Sequence, residues 1–114
     1  MSNFETIVQK ISDKSVKTGI IGLGYVGLPL AVTFARNGVA VLGFEKSAKK
    51  AEAVNEAQNY IGDVTDADLT RVVKETKKLS ATTDFSRIKE CDAVIICVLI
   101  CLRRQYFFIV IIRF

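Results

Sequence analysis

Three glycines near the amino terminus have a spacing that could cradle a phosphate group. Gly22, Gly24 and Gly27 form a GxGxxG pattern. They follow an apolar run at 18–21 and precede a helix-like run that stops at Gly38. In this setting the first glycine permits a sharp turn, the second lets a pyrophosphate approach the backbone, and the third lets a helix pack closely on a sheet. The pattern predicts the first strand-to-helix turn of a dinucleotide-binding fold.

The residues between the glycines would present backbone N–H groups to such an anion. Leu23, Tyr25 and Val26 lie in the loop and at the start of the helix, where N–H groups have no partner within the helix. The helix dipole adds roughly half a positive charge at that end. All six residues from Gly22 to Gly27 are therefore candidate cofactor-binding residues. The alternative is a tight turn that binds nothing.

An acidic residue independently supports the prediction of a bound dinucleotide. Glu45 follows the second predicted strand, 39–44, and lies 18 residues beyond the third glycine. A carboxylate there can accept hydrogen bonds from the ribose hydroxyls and repels a 2′-phosphate, so NAD is the expected ligand. Lys46, Lys49 and Lys50 leave NADP as an alternative, because a 2′-phosphate favours clustered cations. A solvated carboxylate without a ligand is the other alternative for Glu45.

Strands and helices alternate along the chain around these residues. Strands are predicted at 18–21, 39–44, 79–83 and 93–98, with helices ending near Asn37 and Glu56, a third helix starting at Thr65 or Asp66, and a single turn between Asp84 and Ile88. This alternation predicts an α/β fold with a parallel sheet and right-handed crossovers. Four strands in the order 3-2-1-4 would form the first half of a doubly wound, Rossmann-type sheet.

Three regions of different character divide the chain. Residues 1–15 carry apolar side chains at helical spacing, which indicates a short amphipathic helix against the domain or a flexible leader. Residues 16–98 form the dinucleotide-binding domain, and residues 99–114 form an atypical apolar tail. Within that tail, the uncharged run 107–112 fits an aggregation-prone strand, so poor solubility is expected.

The charge distribution argues against nucleic acid and membrane partners. The net charge is +4, but three of the 16 basic residues lie in 99–114 without any acid, so residues 1–98 hold 13 bases against 12 acids. A basic groove is therefore not supported. The apolar segments on either side of Arg103 and Arg104 are each shorter than the ~20 residues needed to span a bilayer.

The cysteines indicate neither a metal site nor a nucleophile. The chain has an odd number of cysteines, Cys91, Cys97 and Cys101, and no secretory signal. We therefore expect reduced, buried thiols in a cytoplasmic protein. The sequence has no histidine and no Cys-x-x-Cys pair. The sequence therefore lacks the usual ligand pattern of zinc and a histidine that could activate a thiol. No catalytic residue is predicted.

Four segments carry a more specific pattern. They are GLGYVGLPL at 22–30, GFE at 43–45, ATTD at 81–84 and CDAVIICV at 91–98. Together they resemble the N-terminal NAD-binding domain of the UDP-glucose/GDP-mannose dehydrogenase family. The resemblance covers about residues 16–98, and its detail is most similar to the UDP-N-acetylhexosamine dehydrogenases.

The resemblance implies an activity and a set of contacts. Enzymes of this family oxidise the C6 alcohol of a nucleotide sugar to a carboxylate, using two NAD molecules in succession and a catalytic cysteine. It implies that 22–27 binds the pyrophosphate, that Glu45 binds the adenosine ribose, and that Lys50 lies near the adenosine half. Cys97 and Val98, at the end of the fourth predicted strand, are also assigned to cofactor binding. The family usually has Asp where this chain has Glu45.

The chain departs from the family pattern at Leu99. The family continues into Pro-Thr-Pro beside the nicotinamide, whereas residues 99–114 show no likeness to it. The abrupt change predicts a truncation or a shifted reading frame. The dimerising helix, the sugar-nucleotide domain and the catalytic cysteine would then be missing, and the chain alone would be inactive. A stand-alone dinucleotide sensor and a non-functional product are the alternatives.

Overall fold

One five-stranded sheet forms the centre of the computed structural model, which describes residues 3–102 and 105–113. The strands are β1 (Lys17–Ile21), β2 (Ala40–Phe44), β3 (Leu79–Thr82), β4 (Ala93–Leu102) and β5 (Gln105–Arg113). Their spatial order is β3-β2-β1-β4-β5, and the first four are parallel. The predicted α/β fold with strand order 3-2-1-4 is therefore confirmed.

Three of the helices begin at residues whose side chains cap them. They are α1 (Asn3–Ser12), α2 (Gly27–Arg36), α3 (Ala48–Asn55) and α4 (Asp66–Thr70), with a π-helical turn at Arg71–Glu75 and a 3₁₀ helix at Phe85–Glu90. The Ser47 and Thr65 hydroxyls accept hydrogen bonds from the first turns of α3 and α4. The Asp84 carboxylate does the same for the 3₁₀ helix. None of the helices in the described residues is long and apolar enough to cross a membrane.

The apolar core lies between the sheet and the helices α2, α3 and α4. Ile20 of β1 and Leu79 of β3 are almost fully buried against Leu28, Val54 and Leu69 from the three helices. Fully burying an aliphatic side chain stabilises a fold by about 1.5–3 kcal/mol. The repeated burial of such side chains holds the strand ends and the loops that follow them in place.

The apolar tail adds strand structure to the sheet. β4 continues past its predicted end at Val98 to Leu102, and β5 pairs antiparallel with it from Val94 onward. β1 pairs with only the first part of β4, at 93–96. The pairing of β5 has a simple physical reason, because its run of β-branched and aromatic residues favours an extended strand. The predicted order lacked this fifth strand.

The amino-terminal helix is joined to the sheet by polar contacts. The Lys10 Nζ lies 2.7 Å from the Asp92 Oδ1, and the Asp92 Oδ2 accepts a hydrogen bond from the Lys17 backbone N–H at 2.9 Å. Val8 and Ile11 of the predicted apolar stripe remain 44% and 52% exposed. The side chains of the other stripe residues, Phe4 and Ile7, lie outside the described residues. The first segment is thus helical, but its described apolar positions are not buried.

A side-chain amide occupies part of the β3 edge. At the two ends of the pairing between β3 and β2, the Lys78 carbonyl oxygen accepts a hydrogen bond from the Val41 N–H, and the Thr82 carbonyl oxygen accepts one from the Glu45 N–H. Ala81 lies between them in the alternating pattern and directs its polar groups outward. The Asn55 Nδ2 donates to the Ala81 carbonyl at 2.9 Å, and the Asn55 Oδ1 accepts from the Ala81 N–H at 2.8 Å. Asn55 therefore bonds to β3 as a neighbouring strand would, and it fixes the end of α3.

We expect Asn55→Ala to lower the free energy of unfolding by about 1–2 kcal/mol, since two hydrogen bonds to Ala81 are lost. Urea denaturation followed by circular dichroism measures the change. Gln58→Ala is the matched control, because it removes an exposed amide from the following turn. Equal stability of the two variants would contradict a structural role for the Asn55 amide.

Candidate functional site

The first and third glycines of the loop are required by contacts within the protein. Gly22 has φ +94°, and a Cβ there would lie 2.2 Å from the Cys97 carbonyl oxygen. A Cβ on Gly27 would lie 1.6 Å from the Gly22 carbonyl oxygen. The Gly22 N–H also donates to the Phe44 carbonyl at 2.8 Å. The turn is therefore packed closely between the start of α2, the end of β2 and the middle of β4.

The second glycine differs from the other two. A Cβ on Gly24 would meet no atom within 4 Å apart from its chain neighbours, and its φ is not in the left-handed region. The fold itself does not require glycine at this position. The space next to Gly24 can instead admit a group from outside the protein, which fits the close approach of a pyrophosphate.

The start of α2 offers donors next to this space. Val26 precedes the helix, and no side chain accepts a hydrogen bond at the cap. The Leu28 N–H already donates to the Gly24 carbonyl oxygen at 3.1 Å, so the donors left at this end belong to Gly27 and the residues just before it, and the helix dipole makes this end positive. Pro29 lies in the first turn, where its missing N–H costs least. The loop and the helix start therefore have the chemistry of an anion site.

Glu45 lies between the glycine loop and α3, directly after β2. Its Oε1 accepts a hydrogen bond from the Leu23 N–H at 3.3 Å, and its Oε2 accepts one from the Ser47 N–H at 2.8 Å. The carboxylate is half-buried. It connects the loop to the start of α3, which is a structural role that the sequence did not indicate. Each carboxylate oxygen keeps a further lone pair for a ligand hydroxyl.

A cleft of about 480 Å³ opens beside the second glycine. Its lining includes several residues expected from the sequence and others from α3 and the loop after it: Gly24, Tyr25, Ser47, Lys49, Lys50, Ala53, Tyr60 and Ile61. Tyr25 is 71% exposed, and the Lys50 Nζ lies 6.0 Å from the centre of the Tyr60 ring. The cleft brings together aromatic surfaces and positive charge, which suits a nucleotide.

The two candidate residues from β4 lie apart from this cleft. Cys97 is buried behind the glycine turn, where its Sγ-bearing Cβ is 3.5 Å from the position of a Cβ on Gly27. Burial raises the pKa of its thiol. Val98 follows it in β4, and its side chain lies outside the described residues. Among the described residues, Cys97 contacts the glycine turn, since its Cβ lies beside Gly27 and its carbonyl oxygen lies beside Gly22.

Tyr60 is a contact of the glycine loop that the sequence did not single out. Its hydroxyl donates to the Leu23 carbonyl oxygen at 2.6 Å. Burial, with a smaller effect from the charge of Glu45, raises the pKa of Tyr60 to about 12. The available signal was one aromatic residue in the loop between α3 and α4, which does not reveal its partner.

The described residues offer no second candidate for chemistry at this end of the sheet. No group of three or more His, Cys, Asp or Glu residues there could hold a metal ion. A smaller cavity of about 200 Å³ lies at the amino-terminal ends of the strands, next to Lys17 and Lys78. The glycine loop lies at the other end of the parallel strands, next to their carboxyl ends.

Comparison with known proteins identifies relatives of this chain. The model of the UDP-glucose/GDP-mannose dehydrogenase family, NAD binding domain, matches residues 16–104. UDP-N-acetyl-D-glucosamine 6-dehydrogenase of Salmonella typhi is 39% identical over 83 residues, which are 73% of this chain and 18% of that protein. GDP-mannose 6-dehydrogenase of Pseudomonas aeruginosa is 32% identical over 73% of this chain and 19% of its own length. The chain thus spans about a fifth of these curated relatives.

Solved structures give the same result. The ternary complex of GDP-mannose dehydrogenase from Pseudomonas aeruginosa superposes with a TM-score of 0.68 at 30% identity, covering 79% of this chain and 21% of that one. The NDP-N-acetyl-D-galactosaminuronic acid dehydrogenase of Methanosarcina mazei Go1 gives a TM-score of 0.68 at 34% identity, covering 86% and 22%. The resemblance inferred from the motifs is confirmed: the chain belongs to the UDP-glucose/GDP-mannose dehydrogenase family and carries its NAD-binding domain.

Proposed function

We propose that this chain binds NAD at the glycine loop, as the cofactor-binding part of a nucleotide-sugar 6-dehydrogenase. The pyrophosphate would lie next to Gly24 at the start of α2, and the adenosine half would occupy the cleft beside Lys50. One observation carries the proposal. The space at Gly24 is left open by the protein, while Gly22 and Gly27 are filled by its own backbone.

The residues of this chain would bind and orient the cofactor. When bound, NAD supplies a hydride acceptor for the alcohol carbon of the substrate. The N–H groups between Gly24 and Gly27, with the dipole of α2, would offset the pyrophosphate charge, and the lone pairs left on Glu45 would accept hydrogen bonds from the ribose hydroxyls. Lys49 and Lys50 add positive potential at the cleft. This arrangement favours NAD, because a 2′-phosphate would meet the Glu45 charge.

The names of the relatives indicate the substrate class. The enzyme from Salmonella typhi acts on UDP-N-acetyl-D-glucosamine, and the enzyme from Pseudomonas aeruginosa acts on GDP-mannose, both at position 6. We propose that the substrate is a nucleotide sugar, with a UDP-sugar favoured. Its C6 alcohol would be oxidised to the carboxylate. The free thiols of Cys91 and Cys97 support a reducing, cytoplasmic location for this chemistry.

The proposal also includes binding without turnover by the 114-residue chain alone. Burial and the charges of Glu90 and Asp92 raise the pKa of Cys91, and burial raises the pKa of Cys97. Both therefore stay protonated near neutral pH, and a thiol is a weaker nucleophile than a thiolate. The sequence contains no histidine that could activate them.

We expect Gly24→Ala to weaken NAD binding about tenfold or more, because its methyl group would occupy the space offered to the pyrophosphate. Isothermal titration calorimetry measures the affinity, and thermal melts should show no loss of stability. Gly62→Ala is the matched control, since a Cβ there also meets no atom within 4 Å. Wild-type NAD affinity in Gly24→Ala would contradict the proposed pyrophosphate position.

Glu45→Gln should lower the preference for NAD over NADP about fivefold to tenfold, because the charge that repels the 2′-phosphate is removed. The ratio of the two dissociation constants is the readout. Glu52→Gln removes the same charge from an exposed position on α3 and serves as the control. An equal change of the ratio in both variants would show that Glu45 does not select the dinucleotide.

Turnover is tested by incubating the purified chain with NAD and UDP-N-acetylglucosamine and following NADH by absorbance. We expect no NADH above the protein-free control. NADH formation that increases in proportion to protein concentration would contradict the proposal of binding without oxidation. The calorimetric NAD titration establishes in the same preparation whether the cofactor site is functional.

A further inference from the structure

The residue Leu23 is held by contacts to its N–H group, its carbonyl group and its side chain. Its N–H donates to the Glu45 Oε1, and its carbonyl oxygen accepts from the Tyr60 hydroxyl at 2.6 Å. Its side chain is fully buried and packs tightly against Gly43 of β2. These contacts come from segments far apart in the chain, so the shape of the loop is set by the tertiary fold.

The Tyr60 contact also determines the direction of a donor in the loop. The Leu23 carbonyl and the Gly24 N–H belong to one planar peptide, and the described residues contain no cis bond. In a trans peptide these two groups point in opposite directions. Because the carbonyl points to Tyr60, the Gly24 N–H points away from it. Rotation of this peptide by half a turn would exchange the donor for a carbonyl oxygen.

Glycine at position 24 makes such a rotation easy in the absence of other restraints. It has no Cβ, and it populates both signs of φ readily. A carbonyl oxygen directed at the phosphates would repel them, whereas an N–H group would bind them. The hydrogen bond from Tyr60 opposes this rotation.

We propose that Tyr60 is a positioning residue of the NAD site, which keeps the Leu23–Gly24 peptide in the orientation that presents its N–H to the pyrophosphate. This inference rests on the proposed NAD position next to Gly24. Tyr60 acts through the loop backbone, and its ring also forms part of the cleft wall.

The loop that carries Tyr60 is well anchored for this task. The Asn59 Oδ1 accepts from the Ile61 N–H at 3.0 Å, and the Asn59 Nδ2 donates to the Val64 carbonyl oxygen. Ile61 and Val64 are both only 5% exposed. The position of the tyrosine is therefore fixed on either side by hydrogen bonds and burial.

The protonation state of Tyr60 suits a permanent donor. Its pKa of about 12 in the folded protein lies above the ordinary value of 10.0. The hydroxyl therefore keeps its proton at physiological pH. Because the folded-state pKa is the higher one, Tyr60 contributes stability below pH 10 that is lost as the pH rises through 12.

The test compares the wild-type chain with Tyr60→Phe, which keeps the ring and removes only the hydroxyl. We expect the NAD dissociation constant to rise about fivefold, the effect of one hydrogen bond. Gly62→Ala is the control, because it alters the same loop without touching the hydroxyl. NAD affinity within about twofold of the wild type in Tyr60→Phe would overturn the inference.

A second measurement separates this inference from the proposed function. In the ligand-free chain, the NMR order parameter of the Gly24 N–H bond should fall in Tyr60→Phe, while those of the β1 amides stay unchanged. If the wild type failed to bind NAD, the proposed function would be wrong. An unchanged order parameter at Gly24 would instead show that Tyr60 does not fix the peptide, whatever the NAD affinity.

Discussion

The approach of Gly22 to the Cys97 carbonyl oxygen and to Gly27 is the constraint on which the rest of this structure depends. Here the end of β1, the body of β4 and the start of α2 meet at distances that exclude a Cβ. Because β1 also pairs with β2, the residue after β2 is brought to the same place. The location of Glu45 beside the glycine turn follows from this close contact together with the pairing of β1 and β2.

Much of the fold and part of the site could be predicted from local patterns. The GxGxxG spacing predicts the turn, the apolar runs predict four strands, and the doubly wound pattern that the motif indicates predicts their order. Glu45 could be placed at the end of β2 because a strand end is a property of the adjacent sequence. Its bonds to Leu23 and Ser47 could not be predicted, since they depend on how the loop and α3 lie in space.

The elements that were missed are those whose partners are distant in the sequence. Tyr60 lies in a loop without periodicity, 37 residues from the carbonyl group that it contacts. Asn55 is one polar residue at a helix end, and its pairing with Ala81 depends on the location of the β3 edge. The run at 107–112 predicts a strand by its composition, but composition does not identify the strand that it pairs with. Pairing with β4 is a tertiary effect.

The two edges of the sheet differ in their capacity to accept another strand. At β3 the outward polar groups of Ala81 are already bonded to the Asn55 amide. At the other edge, β5 is paired with β4 alone among the described residues, and its nine residues extend as a regular strand. An unpaired strand edge is a template for further pairing. Among the described residues, the β3 edge is therefore already bonded at Ala81, whereas the outer edge of β5 is available to pair with a further strand.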